Sequence, residues 1–232
     1  MSTSNSFDWI SFWDKKAQSS TDFQATGRGS MDILGFLHTV REISLTLQLT
    51  RDDSLLDIGC GTGIIDMALS PWVKSINGID ISDRAVNRAS DNCKNIPNVK
   101  FSVGDITKLG RETGTFSKVC GYSVLQYLRD EQEVRTAFEC IGSVLKSDGV
   151  AFMAANPDPA KFKDYMKIVD AQNCSTHEKE LSKKIIDATL WLSPEKMIEV
   201  AEKAGLIATI QNINVEIWQS FYMYNVILKH RT

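Results

Sequence analysis

The stretch Leu55-Leu56-Asp57-Ile58-Gly59-Cys60-Gly61-Thr62-Gly63 constrains this chain more than any other. Apolar residues at 55, 56 and 58 read as a short buried strand, and Ile64, Ile65, Met67, Ala68 and Leu69 as the packed face of a helix. The glycines between them remove side chains where a backbone must bend sharply or admit a ligand closely. A dinucleotide-binding turn would carry its third glycine at position 64, where isoleucine stands. A phosphate-binding loop would continue into Gly-Lys-Ser/Thr, and this one does not. Asp57, two residues before the first glycine, would repel a diphosphate and favour a cationic ligand such as an ammonium or a sulfonium. Taken alone, the turn also fits a bend that binds nothing.

The residues downstream repeat the pattern. Residues 76–81 read as a second strand with Asp80 near its end, and residues 99–106 as a third with Asp105. The three acids are 23 and 25 residues apart, close to one strand–helix unit each. Parallel strands joined by helices bring their carboxyl ends to one sheet edge, so the three carboxylates are expected to line one crevice. The pattern continues with strands over 116–121 and 150–155 and a helix over 130–146. A Ser-Pro start at Ser193 opens the last helix, which ends at Gly205. Residues 206–213 and 217–229 read as two strands joined by a short turn, which demands an antiparallel pair.

The motifs LLDIGCGTG, GIDIS and VGDI, in this order and spacing, resemble the class I S-adenosylmethionine-dependent methyltransferases, over about residues 53–155. The resemblance implies an α/β fold: a Rossmann-like seven-stranded sheet, mostly parallel with an antiparallel last strand, and helices on both faces. It implies S-adenosylmethionine as cofactor and S-adenosylhomocysteine as product. It also assigns roles. Asp57 and the turn Gly59-Cys60-Gly61 would hold the methionine portion, which Tyr122 and Ser123 would border. Asp80 would accept from the ribose hydroxyls, and Ile81 would pack on the adenine. Asp105 would accept from the adenine amino group, and Ile106 would donate its N–H to the ring. Trp13-Asp14-x-x-Ala17 resembles the W-x-x-x-A opening that helps close the site in this family. Gln126 stands where some relatives carry a histidine, which argues against a histidine base.

At 232 residues with no Pro/Gly/Ser-rich linker, the chain reads as one methyltransferase domain, 1–232, with two decorations. Residues 1–30 hold Phe7, Trp9, Phe12 and Trp13, rings that must be buried against something. A helix on the core edge and a cap over the cofactor cleft fit equally. Arg28, between two glycines, could grip the donor carboxylate with a forked pair, or be a solvated surface arginine. Residues 156–192 form a long interruption, expected to be a lid or substrate wall.

A net charge of −3 with scattered Lys and Arg disfavours a nucleic-acid partner. Five cysteines with no C-x-x-C pair argue against a disulfide framework or zinc site and for a reduced, cytoplasmic setting. The opening residues are polar, with no signal core, and no run reaches the ~18 apolar residues of a membrane span. In-line methyl transfer depends mainly on alignment, and a hydroxyl acceptor would also need a base. Tyr127, Asn156 and His177 are the candidates to orient an acceptor, each equally at home in a structural or surface role. The expected activity is methyl transfer to a hydroxyl or amine of a small molecule, with oligomeric state open. The alternatives are an RNA or protein methyltransferase, a non-catalytic S-adenosylmethionine-binding subunit, and a nucleotide oxidoreductase.

Overall fold

The computed structural model describes residues 7–27, 33–110, 114–171 and 175–231. Three helices come first: α1 (Trp9–Lys16), α2 (Asp22–Ala25) and α3 (Ile33–Leu47). Strand β1 (Ser54–Ile58) then runs through the glycine turn into α4 (Ile64–Leu69). The alternation continues with β2 (Ser75–Asp80), α5 (Asp83–Asn92), β3 (Val99–Val103), β4 (Phe116–Tyr122), α6 (Glu131–Val144) and β5 (Leu145–Pro157). Helices α7 (Phe162–Ala171), α8 (Thr176–Ala188) and α9 (Pro194–Lys203) precede β6 (Leu206–Asn212) and β7 (Met223–His230).

The seven strands form one sheet in the order β3-β2-β1-β4-β5-β7-β6. The pairs from β3 through β5 are parallel, and β7 runs antiparallel to both β5 and β6. This is the Rossmann-like sheet with a reversed last strand expected from the motifs.

Side chains alternate across a strand, so each strand feeds two cores. Leu56, Ile58, Val119 and Met153 pack with Phe138 and Ile141 of α6 and Met197 and Val200 of α9. Leu55, Ile76, Cys120 and Phe152 pack on the other face with Ile43 and Leu47 of α3 and Ile65 and Leu69 of α4. Each such buried side chain contributes about 1.5–3 kcal/mol. Helix starts are fixed by side-chain caps: Ser82 Oγ accepts from Ala85 N (3.1 Å), and Asp130 from Glu133 N (2.9 Å).

Two expectations are corrected. The short antiparallel turn expected after residue 213 is a ten-residue connection, 213–222, containing a 3-10 turn at Trp218–Phe221. Ile213, Ile217 and Tyr222 are buried. They look strand-like in sequence but anchor a loop to the core. The fifth strand is also longer than 150–155, and its ladder with β7 is irregular between Met153 and Asn156. There Ala155 has φ +58°, and its N–H donates to Asn225 Oδ1 at 3.0 Å. Asn156 Nδ2 donates to Met153 O (2.8 Å) and Tyr224 O (3.2 Å), stapling the irregularity.

Candidate active site

A cleft of about 250 Å³ opens where β1 lies between β2 and β4 and the strand order reverses, at their carboxyl ends. Ligands of open α/β sheets bind at such switch points. Gly59 (φ +72°) and Gly61 (φ +58°) line it. The turn is folded back onto β2, with both Gly59 N and Cys60 N donating to Ile79 O (2.7 and 3.0 Å). A Cβ on Gly59 would lie 2.6 Å from Val124 Cγ2, and one on Gly61 would lie 2.8 Å from Thr26 Cγ2. Only glycine permits both the left-handed backbone and these approaches.

Asp80, at the end of β2, accepts from Gly61 N through Oδ2 and from Ser82 N through Oδ1, both at 2.9 Å. Burial raises its carboxyl above the usual range, and these N–H donors partly offset the rise. Asp105, just after β3, accepts from Thr107 N (2.9 Å) and Thr107 Oγ1 (2.8 Å) and pairs with Lys108 Nζ (3.1 Å). Burial pushes Asp105 up, but Thr107 and Lys108 outweigh it and hold the carboxyl below its ordinary value. Ile81 and Ile106 line the cleft beside these two acids. Tyr122 and Ser123 line it at the end of β4. Ser123 has φ +59°, uncommon for a residue other than glycine, and its N–H donates to Ala154 O at 2.9 Å.

One wall is aromatic. Trp9 and Trp13, one turn apart on α1, both meet Tyr127, with ring centroids 4.5 and 5.2 Å away. Trp218, Gln219, Tyr222 and Met223 close the far side from the β6–β7 connection. Tyr222 stacks on Tyr165 of α7 at 4.6 Å, and burial pushes its hydroxyl well above the ordinary phenol value.

The cleft therefore brings together Trp13, Gly59, Gly61, Asp80, Ile81, Asp105, Ile106, Tyr122, Ser123 and Tyr127. Asp57 is not among the lining residues. It shares the face of β1 that meets α4, is buried, and accepts from Cys120 Sγ at 3.0 Å. Burial first, and then the charge and hydrogen bond of Asp57, push the Asp66 carboxyl well above its usual range. Asp57 and Asp66 thus form a buried pair of carboxyls in which the charged form of Asp66 is disfavoured. Cys60 is buried, and burial with Asp66, Asp57 and Asp80 nearby pushes its thiol up, which suits a small filler and not a nucleophile. Asn156 is committed to the β5 irregularity, and His177 is exposed on α8 and lines no part of the cleft. Neither lines the cleft, whereas Tyr127, expected in the same role, does. Arg28 lies outside the described residues. Sequence reasoning missed Trp218, Gln219 and Tyr222; the density of rings over 218–222 was the available signal. Among the described residues, no histidine, lysine or arginine lines the cleft, no cluster of metal-ligating side chains occurs, and no helix is long and apolar enough to cross a membrane.

Residues 55–149 match the model of a methyltransferase domain. The matched stretch, which holds the glycine turn and the strand-end acids, is similar to that domain family over less than half of the chain. The chain is 29% identical over 107 residues to nodulation protein S of Sinorhizobium fredii, covering 46% of this chain and 49% of that one, about half of that relative's length. It is 25% identical over 181 residues to the ubiquinone biosynthesis O-methyltransferase of Coxiella burnetii, covering 77% and 74%. Its fold matches the crystal structure of the N-methyltransferase NodS of Bradyrhizobium japonicum in complex with S-adenosyl-L-homocysteine, with TM-score 0.65 and 18% identity over 96% of this chain and 98% of that one. The similarity to that structure is one of fold, and the matched residues 55–149 run from β1 through α6 into β5.

Proposed function

We propose that this enzyme transfers the methyl group of S-adenosylmethionine to a hydroxyl or amine of a small molecule in the cytoplasm. The observation that carries the reading is the division of the cleft. One side has a side-chain-free turn and two strand-end carboxylates; the other has aromatic rings and neutral amides. The residues fit the donor: Gly59 and Gly61 present backbone without side chains to the cleft, and Asp80 offers oxygens with remaining lone pairs to a ribose diol. When bound, S-adenosylmethionine supplies an electrophilic methyl on a sulfonium.

We assign Asp105 and Ile106 to the adenine amino group and ring, Ile81 to the adenine face, and Tyr122 and Ser123 to the methionine portion. Asp57 acts beneath the turn through Asp66 and not by touching the donor. Arg28 is our candidate for the donor's carboxylate. The chain acts as a single domain, with residues 1–30 as a cap over the donor. Residues 156–192 serve as a substrate wall, through the stacking of Tyr165 and Trp191 about Tyr222. The relatives' printed substrates and the want of a cation on the described lining support a small acceptor over RNA.

The test is incubation with methyl-labelled S-adenosylmethionine and a cell extract split into small molecules, RNA and protein. Label in the small-molecule fraction is expected. Label confined to RNA or protein would overturn the reading.

A further inference from the structure

We propose that the atom methylated is an unprotonated amine nitrogen, held by the side-chain carbonyls of Gln126 and Gln219. The inference rests on the small-molecule reading above and adds the class of acceptor atom. Gln126 lies in the one-turn helix Leu125–Tyr127, just past the left-handed Ser123. Gln219 lies in the turn Trp218–Phe221 and is only 7% exposed. The two residues come from different elements, and both line the cleft. Both side-chain carbonyl oxygens are buried from water with no hydrogen-bond donor among the described residues. Buried acceptors in folded proteins are almost always satisfied. Two unsatisfied ones on one cleft mark a ligand that brings hydrogens.

An amide carbonyl accepts a hydrogen bond but does not take up a proton near neutral pH. It can orient an N–H or O–H and cannot serve as a base. A primary amine suits such a pair: it donates one N–H to each carbonyl and keeps its lone pair free. A hydroxyl has one hydrogen, and donating it to a carbonyl leaves the oxygen protonated and weakly nucleophilic. Among the described lining residues, nothing is placed to remove that proton. The carboxylates there are Asp80 and Asp105, on the side assigned to the ribose and adenine, and the remaining titratable groups are tyrosines. The three histidines, His38, His177 and His230, lie elsewhere. No cation lines the described cleft to hold a phenolate.

Charge leads to the same answer. With a neutral amine, one positive charge persists throughout and merely moves from sulfur to nitrogen. The rings of Trp9, Trp13, Tyr127, Trp218 and Tyr222 along the cleft suit a cation at either place. In the step, the nitrogen lone pair forms the new N–C bond while the methyl–sulfur bond breaks. The bonding pair leaves with sulfur as a neutral thioether. Nitrogen ends as a methylammonium and gives its extra proton to water.

The test uses methyl-tritiated S-adenosylmethionine and a deproteinised cell extract. The labelled product is treated with hot hydriodic acid, which cleaves methyl ethers to methyl iodide at a temperature that spares N-methyl groups. The expected result is label retained in a basic, cation-exchanging product. Label released as methyl iodide would overturn the amine assignment and leave the small-molecule reading standing. No label in any small molecule, with donor binding intact, would overturn both. With the labelled acceptor in hand, Gln126→Leu and Gln219→Leu should each raise acceptor KM about tenfold or more. Donor affinity by calorimetry should stay within about twofold. Gln126→Met and Gln219→Met serve if the leucine variants do not fold. For the wild type, kcat/KM should rise with pH until the acceptor amine is deprotonated. Unchanged acceptor KM in both glutamine variants would overturn the proposal.

Discussion

The Ser82 hydroxyl donates to Asp14 Oδ1 at 2.6 Å, which ties α1 to the residue that also caps α5. The backbone N–H of the same serine donates to Asp80 Oδ1 at 2.9 Å. Helix α1, proposed as part of the cap, and the carboxylate assigned to the donor ribose are therefore each one hydrogen bond from Ser82. A change that loosens the cap should be felt in donor binding.

Arg88 on α5 offers the cleanest way to loosen it. It donates to Ala17 O (2.9 Å), Ser19 O (2.6 Å) and Asp22 Oδ1 (2.9 Å). The pair is partly exposed, so only part of the ~1.5–3 kcal/mol of a charged hydrogen bond applies. Arg88→Ala should weaken donor binding about tenfold and lower Tm by about 2–4 °C. Arg88→Lys should recover little, because an ammonium cannot reproduce the fork. Calorimetric titration of the donor beside a thermal scan checks both.

Gly61 is the second contact between turn and cap. Gly61→Ala would carry about 1–2 kcal/mol of left-handed strain and also press its Cβ against Thr26 Cγ2. Donor affinity should fall about tenfold or more. The double variant with Thr26→Ser removes the offending methyl and should recover part of the loss, leaving the backbone strain. Equal affinities for single and double variants would show that the cap does not rest on the turn.

The Asp57–Asp66 pair predicts a pH dependence of stability. Burial and Asp57 hold the folded Asp66 carboxyl well above its unfolded value, near 3.9. Above that value the folded chain keeps a proton that the unfolded chain has lost. The Asp66 contribution is thus full below about pH 4 and is lost as pH rises through the folded value. Asp66→Asn abolishes this titration and keeps a donor toward Asp57. Urea denaturation between about pH 5 and about pH 9 should show wild-type stability falling relative to the variant. A constant difference across that range would contradict the pairing.

Much of the fold was legible because each βα unit carries its own signals: apolar strands, caps such as Ser82 and Asp130, and acids at strand ends. Asp80 and Asp105 were found for that reason. Asp57 carries the same signal and by register shares the sheet face of Asp80, but it is buried one strand position short of the turn, against Cys120. Its neighbour, Asp66, is a like-charged residue that sequence logic would read as repulsive, and it is burial that disfavours the charged form. The β6–β7 connection was misread because Ile213, Ile217 and Tyr222 have strand-like chemistry. What makes it a loop is tertiary: Asn214 N donates to Glu42 Oε1 of α3 at 2.7 Å, and Asn214 Oδ1 accepts from Glu216 N at 3.0 Å. The part of the cleft lined by Trp218 and Gln219 was hidden with it, since both reach the cleft through that loop.

Titration of S-adenosylmethionine into the wild type and Asp80→Ala, with folding checked by circular dichroism, bears on the central claim most directly. The strand-end carboxylate predicts affinity lower by about tenfold to about a hundredfold, the worth of a charged hydrogen bond to the ribose diol. Affinity equal to wild type in a folded variant would contradict it.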